Sequence, residues 1–484
     1  MNMIKNKFLK ISAKLEKIDF ILVTASTVVC ALLSFVYSVY AKKYVIPLEY
    51  GIYTTCLLLQ TYLNYAQLGV MNAYNRDYPQ LLGAKKTEDA NTLKNTIFSF
   101  VTIIYFVLFL IIDVVIILIY RNQAFSNHYS VGYLLGPIAV LLETIASFGM
   151  YTERMEGHYN YTGVVSLLKT AIAIAVGLIA IKRWLYYGLF VVPILGSVIS
   201  ILFYYRSCFR RIKVKIDRAV LKVAIRTGLP LLINSLVWTV MASVDKFVIL
   251  FFMTTEDLGI YSVPLMGFST MVIIPQTISQ IFYYRISKLY GETNSTDVLI
   301  EQCNKYTVLT SQLTGITVIM AFYILPIFVR LFMPNYSSGI VPAQILIMGV
   351  AIYSATMLYS NIFSVLRLNK DLLINTVALC IFNIIFSTAF VLINGRKVEN
   401  VAVGTSVSYF IYSALLLIRI NKRFNYSIKK LVYASWVPVV VAVVPCYVFY
   451  YLIPSVYIAM VATLLLSGGI YLGQFLVNRR KEHV

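Results

Sequence analysis

Residues 184–205 read WLYYGLFVVPILGSVISILFYY, and residues 206–226 read RSCFRRIKVKIDRAVLKVAIR. The first stretch carries no charge; the second carries Arg206, Arg210, Arg211, Lys213, Lys215, Arg218, Lys222 and Arg226. An apolar run of this length makes a helix of about 33 Å, enough to cross roughly 30 Å of hydrocarbon. A basic block at one end of such a run marks the cytoplasmic side. The same alternation repeats outward in both directions. Apolar runs occupy residues 18–40, 46–69, 96–120, 130–150, 162–181, 184–205, 229–253, 258–284, 306–332, 340–366, 372–393, 398–417, 431–451 and 455–477. Transmembrane β-strands would be alternating and about half as long. The fold class is therefore an all-α polytopic membrane protein with about fourteen transmembrane helices.

Charge orients the ladder. With the lysine-rich leader (Lys5, Lys7, Lys10, Lys14, Lys17) placed inside, the cytoplasmic gaps and ends hold 31 of the 41 Lys and Arg. The outer gaps hold 8: Lys42, Lys43, Arg121, Lys182, Arg183, Arg330, Arg396 and Lys397. Missing a single span would invert everything after it and destroy this asymmetry. Both termini are expected in the cytoplasm. The net charge of +21 is thus a topology signal with attraction to anionic lipid, not a nucleic-acid surface. Only 13% of residues are charged, against about 25% in soluble proteins. The leader places Phe8, Ile11, Leu15 and Ile18 on one face, as in a helix lying on the membrane surface. The six cysteines form no CxxC pair, and His128, His158 and His483 lie far apart, so neither a disulfide framework nor a metal centre is expected.

An internal repeat divides the ladder. Leu48-Glu49-Tyr50-Gly51-Ile52-Tyr53 opens the second span, and Glu256-Asp257-Leu258-Gly259-Ile260-Tyr261 opens the eighth. Six spans separate them, an even number, so two six-helix halves would be related by a pseudo-two-fold axis along the membrane normal. The expected domains are an N-terminal six-helix bundle over 1–205, an amphipathic cytoplasmic linker over 206–228, a C-terminal six-helix bundle over 229–420, and an extra helix pair with tail over 421–484. Asp217 can cap a linker helix whose apolar face is Val220, Leu221, Ala224 and Ile225.

Polar residues inside such spans are exceptions that need a reason. The second span carries Gln60, Asn64, Gln67 and Asn75 at helical spacing. The eighth carries Ser262, Ser269, Gln276, Gln280 and Tyr283 in nearly the same register, and the seventh carries Asn234, Trp238 and Asp245. Such stripes either glue helices together or line a wet cavity; amides on equivalent helices of both halves favour a cavity. Five ionisable groups lie within spans. Glu143 and Lys169 flank one inner turn at equal distance, which brings them to one depth. They are either a site for an anionic cargo or a neutralising structural pair. Asp113 and Asp245 are either Na⁺ or H⁺ coupling sites or hydrogen-bonded acids. Lys246 can snorkel outward.

Several segments together resemble the Wzx-type polysaccharide flippases of the multidrug/oligosaccharidyl-lipid/polysaccharide exporter superfamily. They are Gly228-Leu229-Pro230-Leu231, Ser243-Val244-Asp245-Lys246, Leu258-Gly259-Ile260-Tyr261, residues 325–336 (LPIFVRLFMPNY) and Leu366-Arg367-Leu368-Asn369-Lys370. The resemblance implies two six-helix bundles around a cavity open alternately to each side. It implies translocation of an undecaprenyl-diphosphate-linked oligosaccharide to the outer leaflet of a bacterial plasma membrane, for cell-surface polysaccharide export. Lys169, Lys246 and Arg76 match the cations that such families use toward a diphosphate. No cofactor is implied beyond coupling to Na⁺ or H⁺. Expected partners are the lipid-linked oligosaccharide, membrane lipids and other polysaccharide-assembly proteins, with the chain a monomer. A cation-coupled small-molecule or drug antiporter of the same superfamily is the alternative. A membrane glycosyltransferase or polymerase is disfavoured by the short outer gaps, so an enzyme is not expected. The absence of a GxxxxGK[ST] loop excludes direct use of ATP by that device.

Overall fold

The computed structural model describes residues 25–121 and 127–482. The leader helix expected around Phe8, Ile11, Leu15 and Ile18 lies outside the described residues, as does His483. Every regular element among the described residues is helical. Helices satisfy their own backbone hydrogen bonds, which hydrocarbon cannot do for them. Packing divides the chain between Leu236 and Val237 into two units. The first contains α1 (Ala25–Tyr44), α2 (Pro47–Leu63), α3 (Val70–Gly83), α4 (Thr87–Tyr120), α5 (His128–Met155), α6 (Tyr159–Trp184), α7 (Val191–Ser207) and the start of α8 (Arg218–Phe252). The second contains the rest of α8 with α9 (Thr255–Thr293), α10 (Thr296–Phe332), α11 (Ile340–Ala355), α12 (Met357–Val365), α13 (Asn369–Asn394), α14 (Val398–Phe424), α15 (Ile428–Leu452) and α16 (Val456–Glu482).

Among the described residues, 12 helical runs are long and apolar enough to cross a bilayer. One of them, Tyr159–Ser207, covers 49 residues and folds back on itself. Tyr161 Oη at one end of α6 donates to Phe203 O near the far end of α7, 2.6 Å away, while Gly177 abuts Val192 at the other end of the hairpin. It therefore makes two crossings. The run formed by α2 and α3 is interrupted after Leu63 and falls short of the length criterion for that reason. With both counted, the ladder has the fourteen rungs expected from the sequence.

The two units share one internal plan. In the first, α5 packs against α2, α4 and α7, and α7 packs against α6. In the second, α11 packs against α9, α10 and α14, and α14 packs against α13. The order of neighbours is the same, as the repeated Gly-Ile-Tyr openings lead one to expect. The extra pair α15–α16 packs on α10. Tyr323 Oη of α10 bonds Thr463 Oγ1 at 2.9 Å and donates to Cys446 O at 3.1 Å, and Gln312 Nε2 donates to Gln474 Oε1 at 3.0 Å.

The outer skin of the units is greasy. On α4, Ile103, Phe106, Leu110, Ile111, Val114 and Leu118 are all exposed, Leu118 by 67%. In water each would forgo about 1.5–3 kcal/mol of burial. Against lipid tails, which are as apolar as leucine, nothing is forgone. The first unit buries aromatic rings against one another. Tyr74 stacks on Phe148 with ring centroids 4.9 Å apart, and its hydroxyl meets Thr152 Oγ1 at 2.9 Å.

The junction differs from expectation in one respect. Asp217 does cap a helix, its Oδ1 accepting from Ala219 N at 2.9 Å and Val220 N at 3.1 Å. That helix, however, does not stop before the seventh span; α8 runs unbroken from Arg218 to Phe252. Pro230 removes one backbone donor without ending the helix, as is common within membrane helices. Ahead of α8, the N–H groups of Lys213, Lys215 and Asp217 donate to Asn95, Ser99 and Thr96 of α4.

Candidate functional site

The site is built on the interruption between α2 and α3. After Leu63 the chain tightens into a 3₁₀ turn over Asn64–Gln67, and then Leu68 (φ 54°) and Gly69 (φ 79°) turn left-handed before α3 begins. Gly69 is required twice over. Its φ suits a residue without Cβ, and a Cβ there would lie 2.4 Å from the carbonyl carbon of Gly228 on α8. Conversely, a Cβ on Gly228 would lie 2.0 Å from Gly69 O. Two glycines thus let two backbones touch.

A break in a helix exposes backbone groups that need partners. The structure supplies them from side chains. Tyr105 Oη of α4 donates to Asn64 O at 2.8 Å. Gln67 Oε1 accepts from Met71 N at 3.0 Å, capping the first turn of α3. Gly69 O accepts from Asn72 N and Ala73 N at 3.0 and 3.1 Å. Tyr65 Oη reaches across to Ser235 O of α8 at 3.0 Å. The result is a polar cleft of about 250 Å³ lined by Thr61, Asn64, Tyr65, Gln67, Asn72, Leu232 and Ser235. The side-chain amides of Asn64 and Asn72 make no hydrogen bond to any other described residue. Tyr105, which marks the depth of the cleft, lies 15 positions from the end of α4, about 22 Å along the helix.

Gln60 lies one turn above, buried, with its Nε2 unpartnered and packed near Gly136 of α5. Glu143 of α5 is accessible, Lys169 of α6 is half-buried, and each is a charge that acts on the other. They do not close to the 4.0 Å of an ion pair. Arg76 of α3 is held elsewhere: its Nε and Nη2 donate to the two carboxylate oxygens of Asp77 at 2.6 and 3.1 Å, and its side chain is 45% exposed. Asp113 sits in the C-terminal half of α4 with a buried Oδ1 that has no partner among the described residues. The Asn234 side chain lies outside the described residues. Gln276 and Gln280 are exposed on α9 of the second unit.

Asp245 organises a separate polar centre within the second unit. It is buried, and three donors converge on its carboxylate: Tyr261 Oη at 2.6 Å, Asn383 Nδ2 at 2.9 Å and Thr405 Oγ1 at 2.8 Å. Ser387 Oγ donates to Asn383 Oδ1 at 2.7 Å. Helices α8, α9, α13 and α14 meet here. Lys246 follows it in the chain and acts on it electrostatically. The sequence reading found Asp245 and missed its partners. Asn383 and Ser387, four residues apart in an apolar run, were the available signal.

One end of the first unit, where α3, α4 and α5 meet, is clamped by charge. Glu156 Oε1, just past α5, accepts from Tyr78 Oη of α3 at 2.7 Å and from Lys94 Nζ of α4 at 2.9 Å. Burial pushes the Glu156 carboxyl up, but the bonds from Tyr78 and Lys94 and the Lys94 charge outweigh it, so its pKa lies below the ordinary value.

The family model described as polysaccharide biosynthesis protein matches residues 18–283. No curated protein sequence matches the chain. Among solved structures, lipid II flippase MurJ in an inward closed conformation superposes with a TM-score of 0.72 at 15% identity, covering 96% of this chain and 100% of that one. An inward-facing multidrug resistance MATE family transporter of the MOP superfamily superposes at 0.68 and 15% identity, covering 82% and 94%. A MOP superfamily transporter from Pyrococcus furiosus superposes at 0.57 and 16% identity, covering 85% and 96%. At these identities the likeness establishes the fold alone, the polytopic helical fold that these solved structures share. The family match, over more than half its length, places this chain in the polysaccharide biosynthesis protein family.

Proposed function

We propose that this protein is a flippase that moves an undecaprenyl-diphosphate-linked oligosaccharide from the cytoplasmic to the outer leaflet of a bacterial plasma membrane. The observation that carries the reading is the broken second span and its cleft. Irregular backbone at membrane depth is tolerated where it lines a polar cavity, and interrupted helices mark binding sites in transporters. The lining of Asn64, Gln67, Asn72 and Thr61 is neutral, with donors and acceptors side by side. That chemistry suits sugar hydroxyls. Each hydroxyl stripped of water without a partner costs roughly 2–7 kcal/mol, so a row of amides lowers the barrier to a glycan head. The lipid tail would remain in hydrocarbon while the head passes.

Lys169 is the cation best placed for the diphosphate, since Asp77 already occupies Arg76. Glu143 would then balance Lys169 when the cargo leaves. Lys246 serves the same role from the second unit. Coupling is assigned to Asp245, whose centre is rich in oxygen ligands and holds a carboxylate that binds either Na⁺ or H⁺, with Asp113 as a second acid. The two units alternate access, both termini face the cytoplasm, and the chain works as a monomer beside other polysaccharide-assembly proteins. No covalent chemistry is required of it.

Deletion of the gene followed by mass analysis of lipid-linked sugars tests the reading. Accumulation of a completed oligosaccharide on the cytoplasmic leaflet supports it, with restoration by the wild-type chain but not by Asn64→Ala/Asn72→Ala. Unchanged lipid-linked sugars together with altered drug sensitivity would favour the small-molecule antiporter.

A further inference from the structure

The eight cations of the outer gaps run against the charge rule, and the fold gathers some of them. Lys182 and Arg183 at the end of α6 line a cleft of about 410 Å³ with Tyr40 of α1 and with Leu178 and Ile179 of α6. Lys43 follows one turn after Tyr40 and is exposed, resting 5.9 Å from the Tyr44 ring. Lys182 and Arg183 are both exposed and form no ion pair or hydrogen bond with any other described residue. Below them, each helix carries an unbroken apolar stripe. On α6 the exposed residues are Val164, Leu168, Ile172, Val176 and Ile179, spaced by three or four, with Ile179 70% exposed. On α1 they are Val29, Leu32 and Val36, leading up to Tyr40.

From this juxtaposition we propose that the outer ends of α1 and α6 bind a phospholipid of net negative charge in the outer leaflet. The head meets Lys182 and Arg183 and the first methylenes lie over Leu178 and Ile179. Arg presents a planar fork and Lys a point charge, both suited to phosphate oxygens. The site is a lipid site rather than a free-anion site because its floor and both approaches are apolar. A free phosphate would gain nothing from them, whereas a chain gains burial for every methylene laid down. The site stands independently of the cargo reading, since it lies on the first unit apart from the broken helix.

Native mass spectrometry of the purified full-length protein tests this, with phosphatidylglycerol and phosphatidylcholine of equal chain length as probes. Near a membrane surface each basic residue contributes about five-fold to anionic lipid affinity. Lys182→Gln with Arg183→Gln should therefore weaken the tightest phosphatidylglycerol adduct about thirty-fold and leave phosphatidylcholine nearly unchanged. Ile179→Trp, which keeps both charges and fills the floor, should weaken it as well. Lys213→Gln with Lys215→Gln, an equal charge change at the other end of the unit, should not. Equal loss in that control, an unchanged adduct in the Lys182/Arg183 variant, or displacement of the adduct by millimolar inorganic phosphate would each overturn the proposal.

Discussion

Gly228→Ala puts the broken helix to the sharpest test. The added methyl would sit 2.0 Å from Gly69 O and 2.6 Å from its carbonyl carbon, where ordinary contact begins at 3.4 Å. The two backbones would have to part by more than an ångström. Two effects oppose each other. Alanine in place of glycine within a helix gains about 0.8–1.0 kcal/mol. Overpacking a tight contact costs about 1–3 kcal/mol. The cost wins because the obstacle is backbone, and Gly69 O is itself held by the N–H groups of Asn72 and Ala73. The net loss should be up to about 2 kcal/mol, together with displacement of Leu232 and Ser235 from the cleft. Thermal unfolding in detergent and complementation of polysaccharide export measure the two consequences. Gly83→Ala is the control: a Cβ there meets nothing within 4 Å, so stability should hold or rise slightly and export should continue. A Gly228→Ala protein as stable as wild type and fully active in export would refute the close backbone crossing and the cleft built on it.

Lys169→Ala should abolish or strongly reduce export with little change in melting temperature, because the residue is half-buried and makes no ion pair with any other described residue; full export would remove it from the diphosphate route. Asp245→Asn places a donor among the three donors of Tyr261, Asn383 and Thr405, so a stability loss of about 1–3 kcal/mol and loss of ion-dependent transport are expected; transport that still responds to Na⁺ or to pH would rule out the coupling role. The Glu156 clamp should be pH-dependent. Its folded pKa is lowered, so its stabilisation is fully present above the ordinary glutamate value of about 4.3 and is lost as pH falls through the lower folded value. Hydrogen exchange of α3 amides should accelerate in that acid window in the wild type and be fast throughout in Glu156→Gln; a pH-independent wild type would discount the clamp.

The sequence by itself determined the class, the number of crossings and the repeat. Apolar length and cation placement are one-dimensional quantities, and a bilayer imposes its thickness and its charge asymmetry on each span separately. Gln60, Asn64 and Gln67 were legible as unusual for the same reason: a polar side chain in an apolar run needs no neighbour to be conspicuous. Where they lead was not legible. Gln67-Leu68-Gly69 reads simply as the end of a span, and only the approach of Gly228, some 160 residues later, makes it one wall of a cleft. Asp245 was visible, yet Tyr261, Asn383 and Thr405 come from three other helices, and nothing local in any of them names the acid they serve. Tertiary packing decided these points because a polar cleft and a three-donor cage are properties of helix faces brought side by side. The pairing of faces depends on side-chain fit across long sequence separations, which hydropathy does not encode.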